Sequence, residues 1–186
     1  DALLMIARDE AGTADAFSRI DAAAIVRDVG ELYEAVAEED GGSLTVATEG
    51  GSMIDGSREL IGQALANLVD NALKYGRSSR NDHADITLSV KRQGDRVEMT
   101  VADRGPGIAP EDRLRATQRF VRLEKSRSRP GSGLGLSLAA AIAHLHGGDV
   151  RLEDNEPGLR IVLAVPAATT ALPAKQTIPL LPALQS

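Results

Sequence analysis

Helical and strand-like spacings of apolar residues alternate along this chain. Asp1 to about Glu10 has helix-forming composition with Leu3, Leu4 and Ile6 as its apolar residues. It is too short to be stable alone and reads as the tail of a longer helix, ended near Gly12. A second helical pattern runs from about Asp21 to Glu39, with Asp21 as N-cap and Ile25, Val29, Leu32 and Val36 at three- and four-residue spacing. Gly41-Gly42 turns the chain into an alternating strand, Ser43 to Thr48, with Leu44 and Val46 on one face. A short strand near Met53-Ile54 leads into a helix from about Ser57 to Tyr75, capped by Asp55 or Ser57.

Ile86 to Lys91 and Val97 to Ala102 read as strands joined by a hairpin at Gln93-Gly94-Asp95. The second runs into Asp103-Arg104-Gly105-Pro106-Gly107-Ile108, whose glycines and proline make it a tight loop at a strand end. Gly131-Ser132-Gly133-Leu134-Gly135-Leu136 opens the helix SLAAAIAHLH, apolar nearly all round and so expected to be buried. Gly147-Gly148 stops it, and Val150 to Leu152 and Leu159 to Val165 finish as strands around Glu156-Pro157-Gly158. From Ala167 on, the Ala/Pro/Leu-rich sequence has no period and is read as an extended or disordered tail. The order predicts an α+β fold with helices packed on one face of a mixed sheet.

Composition narrows the chemistry. The 186 residues, 42% hydrophobic and 26% charged, suit a globular protein with a core, and 2% aromatics make that core aliphatic. The absence of cysteine excludes disulfides, thiolate metal sites and a cysteine nucleophile. A net charge of −6 argues against general nucleic-acid binding. No apolar run approaches the ~20 residues of a membrane-spanning helix, and no signal peptide is visible. The chain opens on Asp1 rather than Met, so a fragment or processed product is expected. Seven basic residues between Glu111 and Gly131 (Arg113, Arg115, Arg119, Arg122, Lys125, Arg127 and Arg129) make that segment +4 within an acidic chain. Such a segment suits a polyanion, or else pairs internally with the acidic remainder.

Three stretches carry candidate chemistry. At about 100° per residue, Asn67, Asn71 and Lys74 fall within a ~60° arc, while Ile61, Leu65, Leu68, Val69 and Ala72 share another side. Amide oxygens suit a hard divalent cation and the lysine suits phosphate; the alternative is a solvated polar edge. The glycines of 131–135 would let backbone N–H groups at a helix start approach phosphate, although no Gly-Lys-Ser/Thr follows as in a Walker A loop. Asp103 at its strand end can accept from an exocyclic amine, with Gly105 and Gly107 admitting a flat ring and Ile108 packing on it; otherwise it caps the turn. Together these describe an adenine-nucleotide site with Mg²⁺.

NLVDNALKY, DRGPGI, RFVRLEKSR and GSGLGL, in this order and spacing, resemble the N box, first glycine box, F box and second glycine box of sensor histidine kinases. The resemblance covers roughly Asp21 to Pro166. It implies the two-layer α/β sandwich of the Bergerat fold, shared with gyrase, heat-shock chaperone and mismatch-repair ATPases, with a flexible ATP lid. By resemblance Asn71 would ligate Mg²⁺ with Asn67 near the metal and phosphates, Lys74 would contact phosphate and Tyr75 the nucleoside. Asp103 would bind the adenine amine within the loop of Gly105, Gly107 and Ile108, and Gly133, Leu134, Gly135 and Leu136 would lie against the phosphates. Phe120 and Arg122 would belong to the lid, and Arg122 or Arg127 would help hold the γ-phosphate. Three positions depart from the family pattern: Arg104, Gly158-Leu159-Arg160, and the lack of a doubled leading glycine in the second glycine box.

Hydrolytic relatives carry a glutamate four residues before the metal-binding asparagine. Here that position is Asn67, which is no general base, so transfer to an acceptor is expected over hydrolysis. None of His83, His144 and His146 lies in an acceptor-like motif, and the last two are expected to favour their helix's C-terminal dipole. The expected organisation is residues 1–14 as the end of a dimerisation helix and linker, 15–166 as the catalytic ATP-binding domain, and 167–186 as the tail. Expected partners are a histidine-bearing dimerisation domain of the same protein and a response-regulator receiver domain. The fragment is expected to be monomeric and cytoplasmic, within a membrane-anchored receptor. The competing readings are a self-sufficient ATPase of the same fold and a non-catalytic docking module.

Overall fold

The computed structural model describes residues 17–77, 82–116 and 134–169. The expected helix at Asp1–Glu10, the F box and lid with Phe120, Arg122 and Arg127, Gly133, and the tail from residue 170 lie outside those residues. The elements are β1 (Ser18–Asp21), α1 (Ala22–Glu39), β2 (Ser43–Thr48), β3 (Met53–Gly56), α2 (Arg58–Tyr75), β4 (Asp85–Gln93), β5 (Arg96–Ala102), α3 (Pro110–Ala116), α4 (Gly135–Leu145), β6 (Asp149–Asp154) and β7 (Leu159–Pro166).

One sheet has the order β2-β4-β5-β7-β6, parallel between β2 and β4 and antiparallel elsewhere. Its register aligns apolar rows. Val90, Met99, Leu163 and Val150 face one another across four strands, as do Leu88, Val101, Ile161 and Leu152. These rows pack under α1, α2 and α4 in one aliphatic core. The opposite face carries an ion-pair ladder: Glu98 meets Lys91 at 3.6 Å and Arg151 at 2.6 Å, and Arg96 pairs with Asp149. Such exposed pairs contribute little stability each, but they keep the uncovered face polar. The mixed sheet with helices on one face is the expected architecture.

Two elements carry no signal in the sequence pattern. β1 pairs antiparallel with β3 from Ser18↔Gly56 to Asp21↔Met53, and Ala167 bridges to Ile54 on β3's other edge. β1 is four residues with a single large apolar side chain, too short to show a period. α3 spans seven residues inside the segment read only for its charge.

The apolar stripe of α1 needs correction. Asp21 caps the helix as expected, its carboxylate accepting the Ala23 N–H at 3.0 Å. Ile25 and Val29 are buried, but Leu32 and Val36 are 68% and 45% exposed. The buried side joins Ile25 and Val29 to Ala22, Ala23, Val26, Gly30 and Ala37, and Leu32 stands roughly 110° round the helix from its middle. Small residues let α1 lie close on β2. A side-chain carbon at Gly30 would collide with the Val46 methyl. Periodicity weights large apolar residues and so misplaces a helix whose inner line is small.

Leu32→Ser should therefore leave stability within about 0.5 kcal/mol of the parent chain. Leu65→Ala, at a fully buried position, should remove about 2–5 kcal/mol. Urea unfolding at unchanged m-value distinguishes them, and equal losses would contradict this packing.

Candidate functional site

α2 starts at Ser57, whose Oγ accepts the Leu60 N–H at 3.3 Å and donates to Glu59 at 3.1 Å. Leu60, Ile61, Ala64, Leu65, Leu68, Val69, Ala72 and Leu73 are buried, so this stripe fixes the rotation of the helix. Asn67, Asn71 and Tyr75 are left half-buried and Lys74 exposed. The acid within this run, Asp70, turns toward α1. It bonds the Tyr33 hydroxyl, which burial and then the Asp70 charge push up to about 12. Asn67 and Asn71 therefore present neutral amides.

Gly135 faces those amides from the first turn of α4. A side-chain carbon on Gly135 would stand 3.3 Å from Asn71 Nδ2 and 3.4 Å from Asn67 Oδ1. Asn67 Nδ2 donates to the Gln63 carbonyl at 2.8 Å, which leaves Oδ1 toward Gly135. No side chain caps α4. The positive end of its dipole thus faces two amide oxygens, an arrangement suited to a polyanion carrying a cation. Leu134 and Leu136 are half-buried at the same helix start.

Asp103 closes the other side. It is 6% exposed, and its Oδ1 accepts from the Gly105 N–H at 2.8 Å and the Leu159 N–H at 3.2 Å. Its backbone N–H donates to Leu159 O at 2.9 Å, and its carbonyl accepts from Asn155 Nδ2 at 2.7 Å. Oδ2 takes no protein hydrogen bond among the described residues and is not sealed from solvent. It can accept from a ligand. Burial pushes the carboxyl above its ordinary value, opposed by the two backbone N–H groups on Oδ1.

Backbone contacts hold this loop against α2. A side-chain carbon on Gly76, the C-cap of α2, would stand 2.6 Å from Asp103 Cβ, and one on Gly105 would stand 2.8 Å from the Tyr75 carbonyl. Gly158, at φ +118°, lies directly under the Asp103 carbonyl. Gly107, with φ +68°, packs on Gly158 in turn, and Ile108 is half-buried against the core. Arg113 of α3 donates to Ile108 O at 2.9 Å and pairs with Asp154 at 3.3 Å, so this basic residue pairs internally.

Among the described residues, then, Asn67, Asn71, Gly135, Leu136, Tyr75, Asp103, Gly105 and Ile108 gather around one end of α2. Lys74 is exposed and lines a groove with Val36, Asp40, Asp70 and Leu73, on the side toward α1. That groove contains neither Asp103 nor Gly135 and is separate from the amide cluster. Two residues that sequence reasoning missed are Asn155 and Leu159, which grip Asp103 from the β6–β7 turn. Nothing local marks them, because the Asn155 side-chain amide and the Leu159 backbone act on a partner 52 and 56 residues away. One expectation is overturned: His146 does not serve the α4 dipole as a cation. It is buried, and burial holds it below its usual value, so it is neutral at pH 7. His144, two residues earlier, is exposed.

Residues 56–169 match the family described as histidine kinase-, DNA gyrase B- and HSP90-like ATPase. The chain is 35% identical over 141 residues to the sensor-like histidine kinase SenX3 of Mycolicibacterium smegmatis, covering 75% of this chain and 35% of that protein. It thus spans about a third of that relative's length. The histidine kinase domain of the E. coli osmosensor EnvZ is 31% identical with a TM-score of 0.63, over 87% of this chain and 95% of that one. The catalytic domain of histidine kinase ThkA shares the fold, with a TM-score of 0.71 over 82% of this chain and 99% of that one, at 24% identity.

The raised Asp103 carboxyl has a definite sign. The stability it contributes is present below the unfolded carboxylate value of about 3.9 and is lost as pH rises through the higher folded value. Asp103→Asn keeps an oxygen for the Gly105 and Leu159 N–H groups. The ligand-free parent chain should therefore lose stability relative to Asp103→Asn as pH rises from 4 to 7, read by urea unfolding at each pH.

Proposed function

The chain belongs to the histidine kinase-, DNA gyrase B- and HSP90-like ATPase family as the ATP-binding catalytic part of a histidine kinase, and on that premise we propose how its own residues divide the work. The observation that carries the reading is the meeting of the Asn67 and Asn71 amides with the N-terminus of α4 at Gly135. The buried Asp103, with one oxygen left over, stands at the C-cap of the same helix as the two asparagines.

In this reading Asp103 Oδ2 accepts from the adenine amine, the ring lies between Ile108 and the backbone of Gly105 and Gly107, and Tyr75 borders the nucleoside. Lys74 and the first turn of α4, at Leu134, Gly135 and Leu136, take the phosphates, with Gly133 preceding them. Asn71 Oδ1 holds Mg²⁺ with Asn67 Oδ1 beside it. The donor set suits that ion. Mg²⁺ keeps several waters and takes substrate phosphate oxygens, so neutral amide oxygens from one helix suffice, and the described residues contain no cluster of three His, Cys, Asp or Glu that would hold a metal on its own. When bound, Mg²⁺ neutralises charge on the transferring phosphoryl group. Arg122 and Arg127 add cations toward the γ-phosphate.

Asn67 decides the fate of the bound nucleotide. Its amide is no base, and its nitrogen is committed to the Gln63 carbonyl, so nothing at that position activates water. The γ-phosphate therefore goes to an acceptor, which we assign to a histidine on a separate dimerisation domain; residues 1–14 form its end and linker, 15–166 the catalytic domain and 167–186 a tail. From there the phosphate passes to a response-regulator receiver domain in two-component signalling. No helix among the described residues is long and apolar enough to cross a membrane. We assign this catalytic domain to the cytoplasm, carried by a membrane-anchored receptor.

Asn71→Ala should weaken Mg-ATP binding by roughly ten- to a hundredfold. Asp103→Asn should do the same with the fold intact, because it turns a donor toward the adenine amine. Unchanged calorimetric binding in both variants would refute the site. Mixing the chain, ATP and a histidine-bearing dimerisation domain should yield acid-labile phosphohistidine. Steady phosphate release by the chain alone, lost on Asn67→Ala, would show hydrolysis instead, and no ATP affinity at all would show a docking module.

A further inference from the structure

α2 and α4 run antiparallel, and they meet at both ends. At one end Gly135 lies against Asn67 and Asn71. At the other, the imidazole of His146, the C-cap of α4, spans to the N-cap of α2. Its Nε2 accepts the Ser57 N–H at 3.1 Å, and its Nδ1 lies 2.8 Å from the Ile142 carbonyl. A carbonyl only accepts, so Nδ1 carries the proton and Nε2 is bare. Both ring nitrogens are spent, and the residue is 6% exposed. Phe17 stacks on the ring with centroids 4.7 Å apart, and a side-chain carbon at Gly56 would stand 2.7 Å from Nε2. The ring therefore has no room to swing aside.

We propose that His146 is a positioning residue of the nucleotide site: its neutral imidazole sets the register of α4 on α2, and so the spacing of Gly135 from Asn67 and Asn71, and protonating it loosens that register. The proposal rests on the reading of the amide cluster as the phosphate and metal end of the site. A proton on Nε2 would set N–H against N–H at Ser57 and place a charge at the positive end of α2. The surroundings do little to compensate. From α2, Glu59 lies in the first turn but is bonded to Ser57 Oγ. From β3, Asp55 pairs with Arg19 of β1 at 3.4 Å. From α4 come the favourable C-terminal carbonyls and the exposed His144, and among the described residues before β1 the Phe17 ring. Burial disfavours the charged ring, against the Ile142 carbonyl, which favours it. The tie therefore holds at pH above about 6.5 and opens as pH falls through the lowered value.

The test compares Mg-ATP affinity of the full 186-residue chain with that of His146→Gln, whose amide oxygen can accept from Ser57 at every pH, by calorimetry between pH 8 and 5. Titration of ATP itself is common to both chains and cancels in the ratio. Affinity of the parent chain should fall about fivefold or more relative to the variant as His146 protonates. Parallel profiles would overturn the proposal, including the case in which stability alone follows pH, because a merely structural histidine would behave that way. Phe17→Ala gives a second measurement should His146→Gln fail to fold. Exposing the ring should move the midpoint of the parent chain's affinity loss to higher pH, and an unmoved midpoint would overturn the proposal. Absence of Mg-ATP binding by the parent chain at pH 8 would overturn the nucleotide reading and this proposal with it. Binding at pH 8 with parallel profiles overturns this proposal alone.

Discussion

A carboxyl taken almost out of water must find hydrogen-bond donors, and Asp103 takes two from the backbone. The Gly105 and Leu159 N–H groups share one of its oxygens, while Asn155 and the Leu159 carbonyl fix its backbone. That grip brings three chain segments into close contact: the C-cap of α2, the loop after β5 and the β6–β7 turn. Gly76, Gly105 and Gly158 stand at those contacts. The sheet order meets the same requirement. β5 and β7 are neighbours, so the end of one delivers Asp103 where the start of the other delivers Leu159.

The helices complete the site from the opposite side. Burial of the Leu60–Leu73 stripe leaves α2 no freedom to rotate, so its asparagines must face α4. α4 in turn has no side-chain cap among the described residues at its N-terminus and is tied by His146 at its C-terminus. Charge is distributed to suit. Asp70 is occupied by Tyr33, leaving neutral amides beside the dipole of α4. A free carboxylate there would oppose any anion at the helix start.

Much of this was legible in the sequence because it is local. The period of 57–75, the hairpin at Gly94, the strand breaking into Asp103-Arg104-Gly105 and the glycines ahead of α4 each arise from the physics of a few neighbouring residues. The α1 stripe held at Ile25 and Val29 and failed at Leu32 and Val36 for a physical reason. Leu32 and Val36 match the helical period, yet close approach to β2 selects the line of Ala22, Val26, Gly30 and Ala37. β1 and α3 escaped because they are too short to show any period.

By itself the sequence determined which residue types stand on which elements: two amides and a lysine along one helix edge, an acid at a strand end, glycines at a helix start. Side-chain periodicity and turn chemistry act over a handful of residues, so they can be read without the fold. The tertiary structure alone decided that Asn155 and Leu159 grip Asp103, that Asp70 turns away to Tyr33, and that His146 is a neutral tie rather than a helix-end cation. Each of these depends on a partner 37 to 89 residues away, and such a partner is chosen by packing and desolvation of the assembled core.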